Sequence, residues 1–235
     1  YWVKRFDRLE VKHKGIQERF GKKVLPFVDF DDQAYELVSD ENDDGVAPGT
    51  PWQNGPVPLE YAITGLGPLY VRVDNKKYFK EVLEKVMNFR EVDEEGAFTL
   101  FEVGEGGNGA SVIVEYNAIL PPARQGYGTV HHAAFRVEDR EALEEWIERL
   151  SKFGLRNSGF VNRHYFGSLY AKVSPSILFE WATDGPGFMG DEPYETLGEK
   201  LSLPPKLEPK REEIENYVRP IDTVRSTKDI EKEYE

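Results

Sequence analysis

An internal repeat constrains the fold of this chain more than any other feature of its sequence. The segment PLYVRVDNKKYFKEVLEKVMNF, which begins at Pro68, matches HAAFRVEDREALEEWIERLSKF, which begins at His132, at an offset of 64 residues. In both segments an alternating run that ends in Arg-Val is followed by a short acidic turn and then by apolar residues at helical spacing. A repeat of this length predicts two copies of one strand and helix unit.

Each copy continues into further strands. SVIVEY from Ser111 aligns with SILFEW from Ser176 at an offset of 65, so that Glu115 and Glu180 are matched on the last strand. Each unit is therefore predicted to be a strand, a helix and three strands, or βαβββ. We expect an α+β protein in which such modules pair, because one unit alone leaves a face of its sheet open.

The beginning of the chain matches the later part of such a module. YWVKRFDRLEVKH is similar to the helix of the repeat, and FDDQAYELV is similar to its last strand, with Glu36 at the position of the glutamate. We therefore expect a partial module without its first strand, and a first module that precedes Tyr1. The predicted division is a partial module at 1–39, a linker at 40–60, complete modules at 61–120 and 121–190, and a C-terminal extension at 191–235. The charged stretch from Ser226 is expected to be solvated.

Composition excludes several classes of function. The 235-residue chain has 30 Lys and Arg residues against 43 Asp and Glu residues, a formal net charge of -13. Nucleic acids and anionic membranes are bound by basic surfaces, so neither is an expected partner. The chain has no cysteine, which excludes thiol nucleophiles and fits a cytoplasmic protein. No stretch has the length of a membrane span, and small molecules are the expected partners.

Two adjacent histidines, His131 and His132, lie at the start of the second copy of the repeat. Successive side chains of a strand point to opposite faces, so at most one of them is expected to face a given pocket. A histidine beside an apolar run is also commonly a hydrogen-bonded core or surface residue. Glu180 is more informative, because an acidic residue between Phe179 and Trp181 on an otherwise apolar strand needs a partner.

A tandem βαβββ unit with a histidine on its first strand and a glutamate on its last resembles the vicinal oxygen chelate superfamily of glyoxalases, bleomycin resistance proteins and extradiol dioxygenases. The runs VHHAAFRV, NRHYFGSLYAKVSPSILFEWATDGPGF and DEPYETLGEKLSLPP are similar, more narrowly, to bacterial ring-cleaving dioxygenases of the hydroquinone-detoxifying type. The resemblance covers residues 60–220, and its most specific part is 127–205. It implies the glyoxalase/dioxygenase fold, in which paired modules form curled mixed sheets around a pocket.

The resemblance also implies a metal site. The metal histidine of the superfamily falls on His132 and its metal glutamate on Glu180, which leaves His131 as a packing residue or a support for the ligand. Fe(II) is the expected metal, with Mn(II), Ni(II) and Zn(II) as alternatives that accept the same ligands. The preceding module cannot supply a third ligand, because its first-strand position is Pro68. The resemblance instead implies a histidine in a module before Tyr1.

Three further residues are weighed for roles in the site. Tyr170, ten residues before Glu180, falls where extradiol enzymes use a tyrosine to hydrogen-bond the substrate, although an ordinary half-buried strand tyrosine would fit as well. His164 is a candidate acid/base because the ordinary pKa of histidine lies near neutral, although it could equally be a surface loop residue. His13 follows a helix and is expected at the surface.

The expected function is ring cleavage of a hydroquinone or catechol with dioxygen at a metal site. Two alternatives stay open: a glyoxalase-type isomerase or glutathione or thiol-transfer enzyme, and a non-catalytic protein that sequesters an aromatic toxin or an antibiotic. The loss of a ligand at Pro68 favours sequestration slightly. A homodimer is a further expectation, since a sheet without its partner module exposes an edge.

Overall fold

The computed structural model describes residues 1–42, 44–119, 121, 123–223 and 230–234. They divide into two compact units. Unit 1 contains the described residues of 1–130 together with 230–234, and unit 2 contains residues 131–223.

Unit 1 begins with a short helix and a three-stranded antiparallel sheet. Helix α1 (Trp2–Arg8) is followed by β1 (Gln17–Arg19), β2 (Lys22–Val28) and β3 (Ala34–Val38), which lie side by side in chain order. The helix is amphipathic and buries Phe6, which lies 4.8 Å from the ring of Phe27 on β2. This contact fixes the helix against the sheet.

His13 is largely buried in unit 1. Its side chain is only 13% exposed, and its Nε2 lies 2.9 Å from Oδ1 of Asp7. The amide of Gly15 donates a hydrogen bond to Nδ1, and the ring lies 6.0 Å from that of Phe6. The expectation of a surface histidine was wrong, because His13 forms a β-bridge with Phe27 that turns its ring toward α1.

The second sheet of unit 1 is a βαβββ unit. The elements in chain order are β4 (Leu69–Val73), α2 (Lys76–Glu81), a π-helical segment (Val82–Val86), β5 (Arg90–Glu95), β6 (Phe98–Glu102) and β7 (Ser111–Tyr116). Helix α2 is capped by Asn75, whose side chain accepts a hydrogen bond from the amide of Tyr78. The strand order is β4-β7-β6-β5, with the first and last strands parallel.

Unit 2 contains a second βαβββ unit. The elements in chain order are β8 (Ala133–Val137), α3 (Arg140–Lys152), β9 (Val161–Asn162), β10 (Phe166–Ser174), β11 (Ile177–Pro186) and a later helix α4 (Arg211–Tyr217). The strand order, β8-β11-β10-β9, is the same as in the first unit. One face of the sheet packs on helix α3, where the rings of Trp146 and Trp181 lie 5.4 Å apart. Leu143 and Leu150 of the helix are completely buried.

The expected α+β class with curled mixed sheets is confirmed. In both βαβββ units the helix connects strands that end up in one sheet, and the last strand lies parallel to the first. The apolar helix positions that revealed the repeat are the ones that pack on these sheets. Within the described part of the chain, no helix combines the length and apolar character needed to cross a membrane.

The segment 230–234 packs against unit 1. The carboxylate of Glu233 lies 2.8 Å from the guanidinium of Arg5. The ammonium group of Lys232 donates hydrogen bonds to three carbonyl oxygens, those of Gln53, Gly55 and Val57. The expected solvation of the charged tail is therefore wrong for Lys232 and Glu233, whereas the other three residues of this segment are exposed. Ser226, where the tail was predicted to start, lies outside the described residues.

Candidate metal centre

His132 and Glu180 meet at the parallel pair of strands β8 and β11. His132 immediately precedes β8, and Glu180 is the ladder partner of Ala134. The Nε2 atom of His132 lies 2.7 Å from Oε2 of Glu180. The parallel pairing thus brings into contact two residues that are 48 positions apart.

The carboxylate of Glu180 is buried, and one of its two oxygen atoms lacks a hydrogen-bond partner among the described residues. Glu180 is 3% exposed, and its Oε1 has no hydrogen-bond partner among the described residues. A buried carboxylate oxygen without a partner is costly unless an ion, a water molecule or a ligand meets it. One imidazole nitrogen and one carboxylate form a donor set that suits a divalent transition metal. Within the described residues no group of three or more His, Cys, Asp or Glu side chains that could hold a metal ion is found.

Ser168 adds a second unsatisfied oxygen. It is completely buried, and its Oγ lacks a hydrogen-bond partner in the described structure. Ser168 and Tyr170 are two positions apart on β10, and side chains at that spacing point to the same face of a sheet. Glu180 pairs with Tyr170 and therefore shares this face. Two unsatisfied oxygens on one face indicate a place for water or ligand atoms.

His131 does not point away from His132. Their Nδ1 atoms lie 2.9 Å apart, and the rings meet at a right angle. The alternation expected for strand residues does not apply, because β8 begins only at Ala133. Since Nε2 of His132 is directed at Glu180, a contact at its Nδ1 orients the ring.

Tyr170 lies beside both predicted ligands. It is directly opposite Glu180 in the β10–β11 ladder, and its ring lies 5.7 Å from that of His132 in an edge-to-face arrangement. Its hydroxyl accepts hydrogen bonds from Nε and Nη2 of Arg163, at 3.1 and 3.0 Å. The guanidinium carbon also lies 5.0 Å from the centre of the ring. The position of the Tyr170 side chain is thus fixed from two sides.

Arg163 is the residue that the sequence reasoning missed. Strand β9 ends at Asn162 and β10 begins at Phe166, and the amide of Arg163 donates to the carbonyl of Phe166 at 2.9 Å. Such a short turn folds β10 back along β9, so a long side chain at position 163 can extend over Tyr170. The signal that could have found it is a basic residue in a hairpin turn seven residues before a strand tyrosine.

His164 lies in the same turn, but its contacts form a cluster with Asp191 and Tyr165. Its backbone is left-handed, with φ of +73°, and its amide donates to Oδ1 of Asn162. Its Nε2 lies 3.7 Å from Oδ2 of Asp191, which also accepts a hydrogen bond from the hydroxyl of Tyr165. That hydrogen bond raises the pKa of Tyr165.

The corresponding positions of the preceding βαβββ unit carry no metal ligands. Pro68 immediately precedes β4, as His132 precedes β8. Tyr70, the second residue of β4, pairs with Ile113. Ala134, the second residue of β8, pairs with Glu180 in the same way. Proline and isoleucine thus replace the histidine and the glutamate.

This register corrects the sequence alignment of the two modules. The alignment matched Glu115 with Glu180, but the ladders place Ile113 at the position of Glu180. Glu115 instead pairs with the guanidinium of Arg72 at 2.8 Å. A shift of two residues keeps the alternation of a strand in phase, so the apolar pattern alone could not reveal it.

Comparison with known proteins places this geometry in a family. The model of the Glyoxalase/Bleomycin resistance protein/Dioxygenase superfamily matches residues 65–188. "Putative ring-cleaving dioxygenase MhqA" of Bacillus subtilis is 41% identical over 227 residues, which cover 94% of this chain and 71% of the relative. "Chlorohydroquinone/hydroquinone 1,2-dioxygenase" of Sphingobium indicum is 26% identical and covers 91% of this chain and 67% of the relative.

A solved structure shows the same fold over nearly the whole chain. The crystal structure of a "putative dioxygenase" from Bacillus subtilis has a TM-score of 0.83 and 32% sequence identity to this chain. The match covers 95% of this chain and 70% of the solved one. The chain therefore belongs to the glyoxalase/bleomycin resistance protein/dioxygenase superfamily.

Proposed function

We propose that this protein is a ring-cleaving dioxygenase that acts on a hydroquinone or a catechol. The observation that carries the proposal is the contact between Nε2 of His132 and the buried carboxylate of Glu180, whose other oxygen has no partner in the described structure. The names of two relatives support the substrate class, since one refers to ring cleavage and the other to hydroquinones.

We propose Fe(II) as the metal, with His132 and Glu180 as two of its ligands. When bound there, a ferrous ion supplies redox chemistry for dioxygen and open coordination positions for the oxygen atoms of the substrate. His131 contacts the second ring nitrogen of His132 and would hold the imidazole in place as the ligand. A third protein ligand is expected from outside the described residues.

Tyr170 is proposed to donate a hydrogen bond to the oxygen atom of the substrate. Both nitrogens that Arg163 directs at Tyr170 can only donate, so the tyrosine oxygen is the acceptor in these two bonds. The hydroxyl proton of Tyr170 is then left for another acceptor, and a substrate oxygen near Glu180 is in a suitable place to receive it. His164, held near Asp191, is proposed as a proton carrier at the hairpin turn.

The test is metal content and oxygen uptake of anaerobically purified, full-length protein. We expect near-stoichiometric iron and oxygen consumption that depends on hydroquinone, both lost in His132→Ala and Glu180→Ala. Glu115→Ala is the matched control and should retain both, because this glutamate contacts Arg72 and not the site. Conversion of substrate without oxygen uptake would contradict the proposal and favour an isomerase or a thiol-transfer enzyme.

One observation favours a second candidate, a protein that sequesters an aromatic compound. The described residues bring together two proposed metal ligands and not three, and a mostly apolar cleft can bind an aromatic ring without a metal. Tight hydroquinone binding by metal-free, full-length protein, with no iron after anaerobic purification, would establish this alternative.

A further inference from the structure

Unit 1 contains a pocket at the place that corresponds to the metal centre of unit 2. Its volume is about 40 Å³ within a cleft that is open to solvent, and it is lined by both sheets of the unit. Three of its lining residues, Pro68, Leu100 and Ile113, are the register counterparts of His132, Tyr170 and Glu180. At these three positions the first βαβββ unit therefore has apolar side chains where the second has the two proposed metal ligands and a tyrosine.

An arginine occupies this second cleft. Arg19 lines the pocket from β1, and its guanidinium lies 4.2 Å from the ring centre of Phe98 and 5.7 Å from that of Tyr70. Its Nη2 is 3.1 Å from Oε1 of Glu36, which lies behind it on β3. Stacking on two aromatic rings and pairing with a carboxylate hold the guanidinium in one orientation.

One nitrogen of this cluster, Nε of Arg19, is buried and lacks a hydrogen-bond partner within the described structure. Oε2 of Glu36 and the hydroxyl oxygen of Tyr70 are buried as well, and the carboxylate lies close enough to this hydroxyl to raise the pKa of Tyr70. Buried polar groups are nearly always hydrogen-bonded, so an unmet guanidinium nitrogen beside an open pocket points to a ligand.

The charges at the pocket favour an anion. Arg19 and Lys22 line it, and the one lining carboxylate, Glu102, is already held by Arg90 at 2.9 Å. The charged lining residues are two cations and one carboxylate, a local excess of positive charge in a chain whose net charge is -13. Apolar side chains make up much of the remaining wall, so the ligand needs an apolar body as well as a charged group.

We propose that this pocket is a second, metal-free ligand site that binds a small organic monoanion with an apolar body. The anionic group is held by the guanidinium of Arg19 and the ammonium group of Lys22, and the body lies against Leu100 and Ile113. The proposal goes beyond the dioxygenase activity and does not depend on it, because every residue involved belongs to unit 1.

The test uses benzoate as the probe and benzyl alcohol as its uncharged counterpart. In full-length protein with labelled isoleucine and leucine methyl groups, we expect saturable benzoate binding that shifts the resonances of Ile113 and Leu100. Benzyl alcohol should bind at least about tenfold more weakly, the loss that corresponds to one hydrogen bond to a charged group. Equal binding of the two probes, or no shift at these methyl groups with benzoate, would overturn the proposal.

Variants separate this site from the metal centre. The double variant Arg19→Gln/Glu36→Gln removes both charges together and should weaken benzoate binding at least about tenfold. Leu100→Phe fills the pocket without changing a charge and should abolish benzoate binding. This variant tests the site independently if the double variant does not fold. Glu180→Ala should bind benzoate as the unmodified protein does. Unchanged binding in Leu100→Phe would show that benzoate binds elsewhere.

Discussion

At the scale of single residues, the central feature is a buried carboxylate with one satisfied oxygen. Oε2 of Glu180 contacts Nε2 of His132, whereas Oε1 has no hydrogen-bond partner among the described residues. An apolar residue would suit this position better if the site had only to stay folded, because a buried charge costs free energy unless it is fully paired. The arrangement is therefore suited to binding and not to stability.

Glu180→Gln should separate these two roles. The amide keeps the shape of the side chain and can still accept a hydrogen bond from His132, so we expect metal-free stability within about 1 kcal/mol of the original. The metal should no longer stabilise the variant, whereas unmodified protein gains about 2.7 kcal/mol at a hundredfold excess of metal over Kd. Thermal unfolding with and without Fe(II), under anaerobic conditions, measures the difference. Glu115→Gln is the control, and a Gln variant that keeps the metal-induced gain would rule out Glu180 as a ligand.

Tyr170→Phe tests the proposed hydrogen bond to the substrate. Iron content should stay unchanged, because the hydroxyl contacts Arg163 and not the carboxylate of Glu180. The turnover rate should fall by roughly a hundredfold, in the range typical for the loss of one positioned proton donor. Steady-state oxygen uptake gives kcat and KM. A tyrosine with only a packing role would leave kcat within a few-fold of the original value.

Tyr70 makes the stability of unit 1 sensitive to alkaline pH. Burial, and next the carboxylate of Glu36, raise the pKa of Tyr70 above its ordinary value. Above about pH 10 the unfolded chain loses this proton while the folded protein keeps it, so the free energy of unfolding falls as the pH rises, by at most about 1.4 kcal/mol per pH unit. Tyr70→Phe should reduce this slope, whereas Tyr217→Phe, at an exposed site, should not. Urea unfolding across this pH range provides the measurement, and equal slopes would contradict the assignment.

At the scale of elements, helix α3 begins with a well-defined cap. The side chain of Asp139 accepts a hydrogen bond from the amide of Ala142 at 2.9 Å, and the helix then buries Leu143 and Leu150 against the sheet that carries Glu180. The sequence EDREAL, with an aspartate just before the apolar helical spacing begins, is typical of a helix start.

Asp139→Ala should therefore destabilise unit 2 by about 1 kcal/mol, the usual cost of losing an N-cap side chain. Urea unfolding followed by a tryptophan signal from Trp146 and Trp181 would detect it, since both indoles lie between α3 and the sheet. Glu138→Ala, one position earlier, is the matched control and should stay within about 0.5 kcal/mol. Equal effects of the two substitutions would show that the cap does not contribute.

The internal sequence repeat was enough to predict most of the fold and part of the candidate site. Helical spacing and strand alternation predicted the βαβββ order, because both patterns persist over many residues. The alternation of apolar residues does not reveal a register shift of two residues. For this reason Glu115 was matched with Glu180, although Ile113 lies at the equivalent position. Arg163 was missed because its contact with Tyr170 depends on the path of a hairpin turn. A single basic residue in the sequence does not indicate that path.

At the scale of the whole molecule, a distant segment completes unit 1. Lys232 satisfies three carbonyl oxygens of the stretch that precedes the second sheet of this unit, and Glu233 pairs with Arg5. Charged residues near the end of a sequence normally indicate a solvated tail, so this contact could not be inferred from composition. The two compact units are therefore not divided at a single point of the chain.

Lys232→Met should weaken unit 1 by about 2 kcal/mol, because three carbonyl oxygens lose a charged donor. Unit 2 and its metal content should be unaffected. Hydrogen exchange resolved by segment would locate the loss of protection within residues 1–130. Lys77→Met, at an exposed position of α2, is the control, and a uniform loss of protection in both units would contradict the prediction.

The parallel pairing of β8 with β11 also has a consequence for biosynthesis. His132 leaves the ribosome well before Glu180, and the two are neighbours only after β11 has inserted beside β8. A nascent chain that ends before β11 can therefore not assemble this pair of proposed ligands, however well its first strand and helix have formed. Loading of a metal at the proposed site would in this way be coupled to completion of the module, and a bound ion would mark a chain whose last strand has reached its place.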